Sequence, residues 1–354
     1  MQFNSAATSH IDAIVDLTLK TVLQLQFLLD QLRCNMTWYK TLKLCILLCT
    51  CASITSYAQE DLSVFGYWKY YEGTPANSLY KHLSSRAFQQ INTRNKEIEK
   101  LKTKADWQER QKEIQNKLLK IVGTFPEKTP LNPVITGTIQ KPDFKVEKLH
   151  FESRPGYLVT AALFLPEKRD QKLPAIVYCS GHSDNGFRSD AYQRIILNYV
   201  KKGFAVLAFD PIGQGERKQY FEGVVGNSAT SEHSYPGAQS FISGLAPANY
   251  FIWDGIRAVD YLHTRKEIDP ARIGIAGRSG GATQAAYIAA MDDRILASAP
   301  ECYITTFEKQ LKSKGPQDAE QNLLYGLENG IDITDYLVAR VPKPTLLVTT
   351  TNDI

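Results

Sequence analysis

The chain has 354 residues, of which 43% are hydrophobic and 22% charged, the balance of a folded globular protein with room for one large domain and an appendage. Lys and Arg number 41 against 37 Asp and Glu, giving a formal charge of +4. The two signs are interleaved along the chain, so no basic tract marks it for nucleic acid.

The N-terminal stretch reads as a leader. Residues 1–35 carry one apolar patch, Val22 to Leu32, interrupted by acids. After Met36 come Lys40 and Lys43, then the apolar run beginning Leu44-Cys45-Ile46-Leu47-Leu48-Cys49, then Ser56-Tyr57-Ala58 ahead of Gln59. A short positive region, an apolar core below the roughly 20 residues of a spanning helix, and a small-x-small site describe a secretory signal peptide. The expectation is an upstream extension and signal over 1–58, the signal itself over 36–58, and a secreted or periplasmic protein with no membrane span. Cys49 and Cys51 sit too poorly for lipoprotein cleavage, so a lipid anchor ranks second. Of the cysteines beyond the leader only Cys179 and Cys302 remain, too few and too isolated for a zinc site.

Residues 59–133 read as a helical N-terminal extension. Ile114, Leu118, Ile121 and Val122 share one helical face, Thr103-x-x-Asp106 has the form of a capping box, and Gly123 and Pro126 mark the end. From 134 the period changes. Val134–Ile139, Phe144–Phe151 and Tyr157–Leu165 alternate as antiparallel strands, with Ser153-Arg154-Pro155-Gly156 as a turn. Short continuous apolar runs follow at 175–179, 204–209, 273–276, 295–297 and 345–348, as in parallel strands covered on both faces. Helices are expected over 189–202, 250–265, 281–291 and 318–328, and a long loop, a lid or a substrate wall, over 217–248. The fold class is α/β, a mostly parallel sheet with helices on both faces spanning 134–354, and functional groups belong at the carboxyl ends of its strands.

Gly277-Arg278-Ser279-Gly280-Gly281 fits G-x-S-x-G. Five residues are a weak signal, but a strand precedes them and a helix-forming run follows. A sharp strand-to-helix turn lifts a serine hydroxyl out of the sheet, and the helix N-terminus beneath it stabilises a negative oxygen. Ser279 is therefore the candidate nucleophile and the Gly280 N–H one oxyanion donor. The loop after the 175–179 strand, Gly181-His182-Ser183-Asp184-Asn185-Gly186, offers the second donor near Ser183. His182 is read as shaping that loop, since in α/β-hydrolases the base follows the nucleophile and acid in the chain. His233 is read as a surface or lid residue, and Asp210, in Asp210-Pro211-Ile212-Gly213, as a turn-fixing side chain. Two acids at strand ends compete for the third triad position. Asp353, after the 345–350 strand, has the usual place, which leaves Glu301 to line the pocket. Arg278 can face a pocket or solvent. In the usual strand order of α/β-hydrolases, Cys179 and Cys302 belong to strands about two ladder spacings apart, too far for a disulfide.

These segments together resemble the bacterial acetylxylan-esterase-like α/β-hydrolases over about residues 60–354. The resemblance rests on Thr129-Pro130-Leu131-Asn132-Pro133, Phe151-Glu152-Ser153-Arg154-Pro155-Gly156, Cys179-Ser180-Gly181-His182, Asp210-Pro211-Ile212-Gly213-Gln214-Gly215-Glu216-Arg217, the Ser279 elbow and Gly315-Pro316-Gln317-Asp318-Ala319-Glu320-Gln321. It implies an exported serine esterase that removes ester decorations, acetyl first among them, from plant polysaccharides or oligosaccharides. Ser279 would be the nucleophile, Asp353 the acid, and Gly280 with the Ser183 loop the oxyanion hole, with no metal or organic cofactor. A uronic-acid methyl-esterase, which could use Arg278, a serine peptidase and an inactive carbohydrate-binding homologue are the alternatives. All six histidines, His10, His82, His150, His182, His233 and His263, precede Ser279. The expectation is that the catalytic histidine, with a last strand and helix, lies beyond residue 354, and that residues 59–354 alone express poorly and turn over no ester.

Overall fold

The computed structural model describes residues 19–27, 40, 42–47, 77–167, 171–220, 228–313 and 315–350. The chain divides into two compact units, Met1–Ala76 and Asn77–Ile354. In the first, residues 19–27, 40 and 42–47 are helical. The expected cleavage site at 56–58 lies outside the described residues. Among the described residues no helix is long and apolar enough to cross a membrane.

The second unit begins with two helices, α1 (Ser78–Lys100) and α2 (Lys104–Val122). The capping box at the start of α2 forms as read: the Thr103 hydroxyl accepts from Asp106 N, and the Asp106 carboxylate accepts from Thr103 N at 2.8 Å. Gly123, at φ 91°, closes the helix. The predicted face, Ile114, Leu118, Ile121 and Val122, is buried. It packs into one cluster with Ile252, Trp253, Tyr287, Ile331 and Tyr336, so α2 is part of the main core. Ile114→Ala should therefore destabilise the protein by about 2–5 kcal/mol, because Ile114 is wholly buried and its loss leaves a cavity. Denaturant unfolding measures this; a change below about 1 kcal/mol would mean that α2 detaches without cost to the core.

Seven strands form one sheet, β1 (Val134–Gln140), β2 (Phe144–Arg154), β3 (Tyr157–Pro166), β4 (Leu173–Cys179), β5 (Ala205–Phe209), β6 (Ile268–Arg278) and β7 (Ala297–Glu301), in the order β1-β2-β3-β5-β4-β6-β7. The first three strands meander antiparallel and join β5 antiparallel, whereas β5, β4, β6 and β7 are mutually parallel. The antiparallel strands come from the alternating segments and the parallel ones from the continuous apolar runs, since a strand covered on both faces has no polar side to present. Helices α3 (Asp190–Lys201), α5 (Ala248–Thr264) and α6 (Gly280–Met291) follow β4, precede β6 and follow β6. One face of the sheet packs Val177, Leu207 and Ile275 with Val259, Leu262 and Ile288 of α5 and α6; the other packs Ile176, Tyr178 and Val206 with Tyr192, Ile196 and Val200 of α3.

Four expectations are corrected. The 217–248 segment contains a helix, α4 (Ala229–Ile242), capped by the Ser228 hydroxyl accepting from Ser231 N and continuing through Pro236. The expected helix over 318–328 is a 3-10 turn at Ala319–Gln321 followed by further turns. Strand β7 begins at Ala297, two residues later than the apolar run, so that Glu301 is its last residue. Two short helices, α7 (Phe307–Ser313) and α8 (Asp335–Val338), complete the unit. The expected strand over 345–350 does not form as one: Thr345 and Val348 meet Ser298 and Glu301 of β7 only in isolated parallel bridges, and Leu346, Leu347 and Val348 are exposed there.

Candidate active site

Strand order places the site. From β4 the chain moves to β5 on one side and later returns to β6 on the other, so the loops after β4 and β6 part at a switch point and leave a crevice at the carboxyl ends of the strands. Ser279 follows β6 directly and begins α6. Its backbone is at φ 56°, ψ −126°, a conformation a serine adopts only where its surroundings impose it. Those surroundings are visible. Ser279 N donates to Glu301 O at 2.9 Å, and Ser279 O accepts from Ala282 N at 2.8 Å as α6 begins. A Cβ on Gly277 would overlap the Gly281 and Cys179 carbonyls, and one on Gly281 the Cys179 carbonyl. The glycines are thus fixed by close approach of the two strands and the helix, and the side chain of Ser279 is left exposed.

The loop after β4 lies against this elbow. A Cβ on Gly181 would stand 3.1 Å from Ser279 Cβ, and one on Gly280 would stand 2.9 Å from His182 Cε1. The loop is held from behind: Gln214 Nε2 donates to Gly181 O at 3.0 Å, and Gly215 N to Asp184 O at 3.1 Å. Asp210 has the turn-fixing role expected of it. Wholly buried, its carboxylate accepts from Thr160 Oγ1 at 2.9 Å and Glu216 N at 3.2 Å, and Arg188 Nη1 lies 3.2 Å away.

Ser279, His182, Cys302, Tyr303, Asp318 and Gln321 share the lining of a cavity of about 380 Å³. A larger cleft, about 960 Å³, runs along the charged faces of α1 and α2 and contains none of these residues. Arg278 points its Nε at Glu301 Oε1, 3.5 Å away, so the two candidate pocket charges face each other. Ser183 follows His182 in the loop, and its carbonyl accepts from Gly186 N at 3.0 Å. Cys179 is buried and Cys302 partly so, both as free thiols; burial pushes the Cys179 thiol up, which makes it inert. Asp353 lies outside the described residues.

Sequence reasoning missed one cluster. His233, expected at the surface or in a lid, lies on α4 and is 3% exposed. Its Nε2 donates to Ile212 O at 2.8 Å, and its Nδ1 lies 3.1 Å from Asp318 Oδ2 and 3.0 Å from Glu320 Oε1. His182 Nε2 lies 2.8 Å from the same Asp318 oxygen and 3.1 Å from the same Glu320 oxygen. Burial disfavours charge on both rings, but the two carboxylates outweigh it, pushing His182 up to about 10 and His233 up to about 9. Burial likewise works against Asp318 ionisation, and the two imidazoles overcome it and hold its carboxyl far below the usual range. The inward nitrogens of both histidines are therefore committed to carboxylates.

A mixed sheet with a parallel half, helices on both faces and a strained serine between β6 and α6 define an α/β-hydrolase fold. The family model described as acetyl xylan esterase (AXE1) matches residues 91–324, and the chain belongs to that family. Among solved structures it is similar to a "putative acetyl xylan esterase" from Bacteroides fragilis, with a TM-score of 0.59 at 19% identity over 69% of this chain and 68% of the other. It is also similar to methylesterase BT1017, with a TM-score of 0.58 at 21% identity over 76% and 56%. Among curated proteins it is 24% identical over 200 residues to "Putative hydrolase YtaP" of Bacillus subtilis, covering 54% of this chain and 63% of that protein. The chain thus spans less than two thirds of that relative's length.

Proposed function

We propose that this protein is a serine esterase that removes ester-linked acyl groups, acetyl foremost, from plant polysaccharides or oligosaccharides, and that the leader over 36–58 exports it to meet them. The observation that carries the reading is Ser279 at φ 56°, exposed at the β6–α6 elbow in the lining of the cavity. Membership of the acetyl xylan esterase family supports an ester as the substrate. Ser279 Oγ attacks the acetyl carbonyl, the sugar hydroxyl leaves with a proton, and water then releases acetate from the acyl-enzyme. The oxyanion is received by the Gly280 N–H, at the start of α6, and by a backbone N–H of the loop near Ser183.

Asp353 is the proposed acid that orients the base. Glu301 serves instead through its main chain, receiving the Ser279 N–H, while its carboxylate faces Arg278. In the full-length protein Asp353→Asn should lower kcat by about 10⁴, as loss of the orienting acid does elsewhere, and Glu301→Gln by far less. The reverse ranking in steady-state kinetics would assign the acid to the end of β7.

The Arg278–Glu301 pairing favours acetyl over uronate methyl esters, because a guanidinium already facing a carboxylate is a poor receptor for another. Full-length protein incubated with acetylated xylan should release acetate, measured by enzymatic assay or NMR. Methanol from methyl-esterified uronides with no acetate from xylan would transfer the reading to a methyl-esterase.

A further inference from the structure

The cluster missed by sequence reasoning has the geometry of a coordination shell. His182 in the loop after β4, His233 in α4, and Asp318 and Glu320 at the turn before Asn322 each aim one donor atom at a common point, and these atoms lie within 4.8 Å of one another. Five separations are short: His182 Nε2 to Asp318 Oδ2, Glu320 Oε1 and His233 Nδ1 at 2.8, 3.1 and 3.2 Å, and His233 Nδ1 to the two oxygens at 3.1 and 3.0 Å. A tetrahedral ion with ligands at about 2.0–2.1 Å sets its ligand atoms about 3.3 Å apart.

Without an ion the two rings must hold both protons. Ile212 O can only accept, so His233 Nε2 carries hydrogen, and Nδ1 meets the two carboxylate oxygens only as the second N–H of an imidazolium. His182 Nε2 faces the same two oxygens. Protonating both rings places two N–H groups 3.2 Å apart and aimed at shared acceptors. One divalent cation satisfies all four donors and balances two carboxylates. The outer partners suit this role: Ile212 O fixes the His233 ring, and Gln321 Nε2 donates to Asp318 Oδ1, turning Oδ2 inward. Glu320 is 2% exposed, and its Oε2 has no hydrogen-bond partner, so outside the cluster nothing satisfies this buried carboxylate.

We propose that His182, His233, Asp318 and Glu320 bind one divalent transition cation, of the zinc or manganese class, in the wall of the Ser279 cavity. Two imidazoles with two carboxylates select such ions over magnesium and calcium. The ion ties the loop after β4, helix α4 and the 315–321 segment together and so sets His182 against Gly280; its role is to position that loop.

Chelator-treated full-length protein titrated with zinc chloride, and separately with manganese chloride, should bind one equivalent by calorimetry, with the metal content confirmed by mass spectrometry. Asp318→Asn and Glu320→Gln should each weaken binding by roughly 100-fold, the upper end of what loss of an outer partner alone costs. Ser279→Ala should bind as the wild type does, so failure of the esterase reading leaves this result untouched. Should either carboxylate variant lose its near-UV circular dichroism, anomalous diffraction from zinc-soaked wild-type crystals decides: density among the four donor atoms is expected. Folded wild type that takes up neither ion, binding undiminished in both folded variants, or an ion seated elsewhere would overturn the proposal.

Discussion

Replacing Ser279 by alanine in the full-length protein should lower kcat for acetyl-ester hydrolysis by on the order of 10⁴–10⁶, with the far-UV circular dichroism and melting temperature of the parent retained or slightly improved. The elbow holds its residue through backbone contacts, Ser279 N to Glu301 O and Ser279 O to Ala282 N, and alanine keeps both. What disappears is the oxygen proposed to attack. Because the φ 56° conformation stores strain that no hydroxyl relieves, alanine has no reason to destabilise the turn. A variant that kept more than about one per cent of the parent turnover would remove Ser279 from the chemistry.

The largest expected effect on stability lies at the Arg217–Asp254 pair. Arg217 Nη1 meets Asp254 Oδ2 at 2.8 Å and also donates to Asp210 O at 3.0 Å, with both side chains at most 3% exposed. Asp254→Ala leaves a buried guanidinium without its counter-charge and should cost about 3–5 kcal/mol in denaturant unfolding. Exchanging both partners for apolar residues of similar volume should cost much less, because it removes the uncompensated charge along with the pair. Equal losses in the single and double variants would show that shape, and not charge, is what this position requires. The pair bridges α5 and the turn after β5, so its loss should also loosen Asp210 and the loop behind Gly181.

Elements whose signal is local were legible in the sequence. The α2 capping box needs only Thr103 and Asp106, and the buried face of that helix follows from the spacing of Ile114, Leu118 and Ile121. The elbow was legible because two glycines, a serine, a preceding strand and a following helix fall in one stretch of chain. Strand order places β6 between the strands that lead to Cys179 and Cys302, as the usual strand order of the fold class implied.

What escaped is non-local. Helix α4 was obscured by Pro236 and Gly237 in its interior; Gly237 is where the helix closes on Ala319, and His233 on the buried face finds its partner Asp318 in a distant segment. The 318–328 segment has helix-forming residues, yet its polar side chains bond inward: Gln321 Oε1 accepts from Thr283 Oγ1 at 2.7 Å, and its carbonyl accepts from Tyr287 OH at 3.0 Å. Those tertiary bonds outweigh propensity. The histidine–carboxylate cluster spans 138 residues between His182 and Glu320, so no spacing rule reveals it. The one available sign was the Gly315–Gln321 motif, in which Asp318-x-Glu320 places two acids in a segment with no other evident task.

The most direct test of Ser279 as an activated nucleophile is covalent trapping. Full-length protein treated with a fluorophosphonate and digested should yield a single modified peptide, with the adduct mapped by tandem mass spectrometry to Ser279, and the Ser279→Ala variant should remain unmodified. An adduct on another residue of an ester-hydrolysing preparation, or equal modification of the alanine variant, would contradict the account.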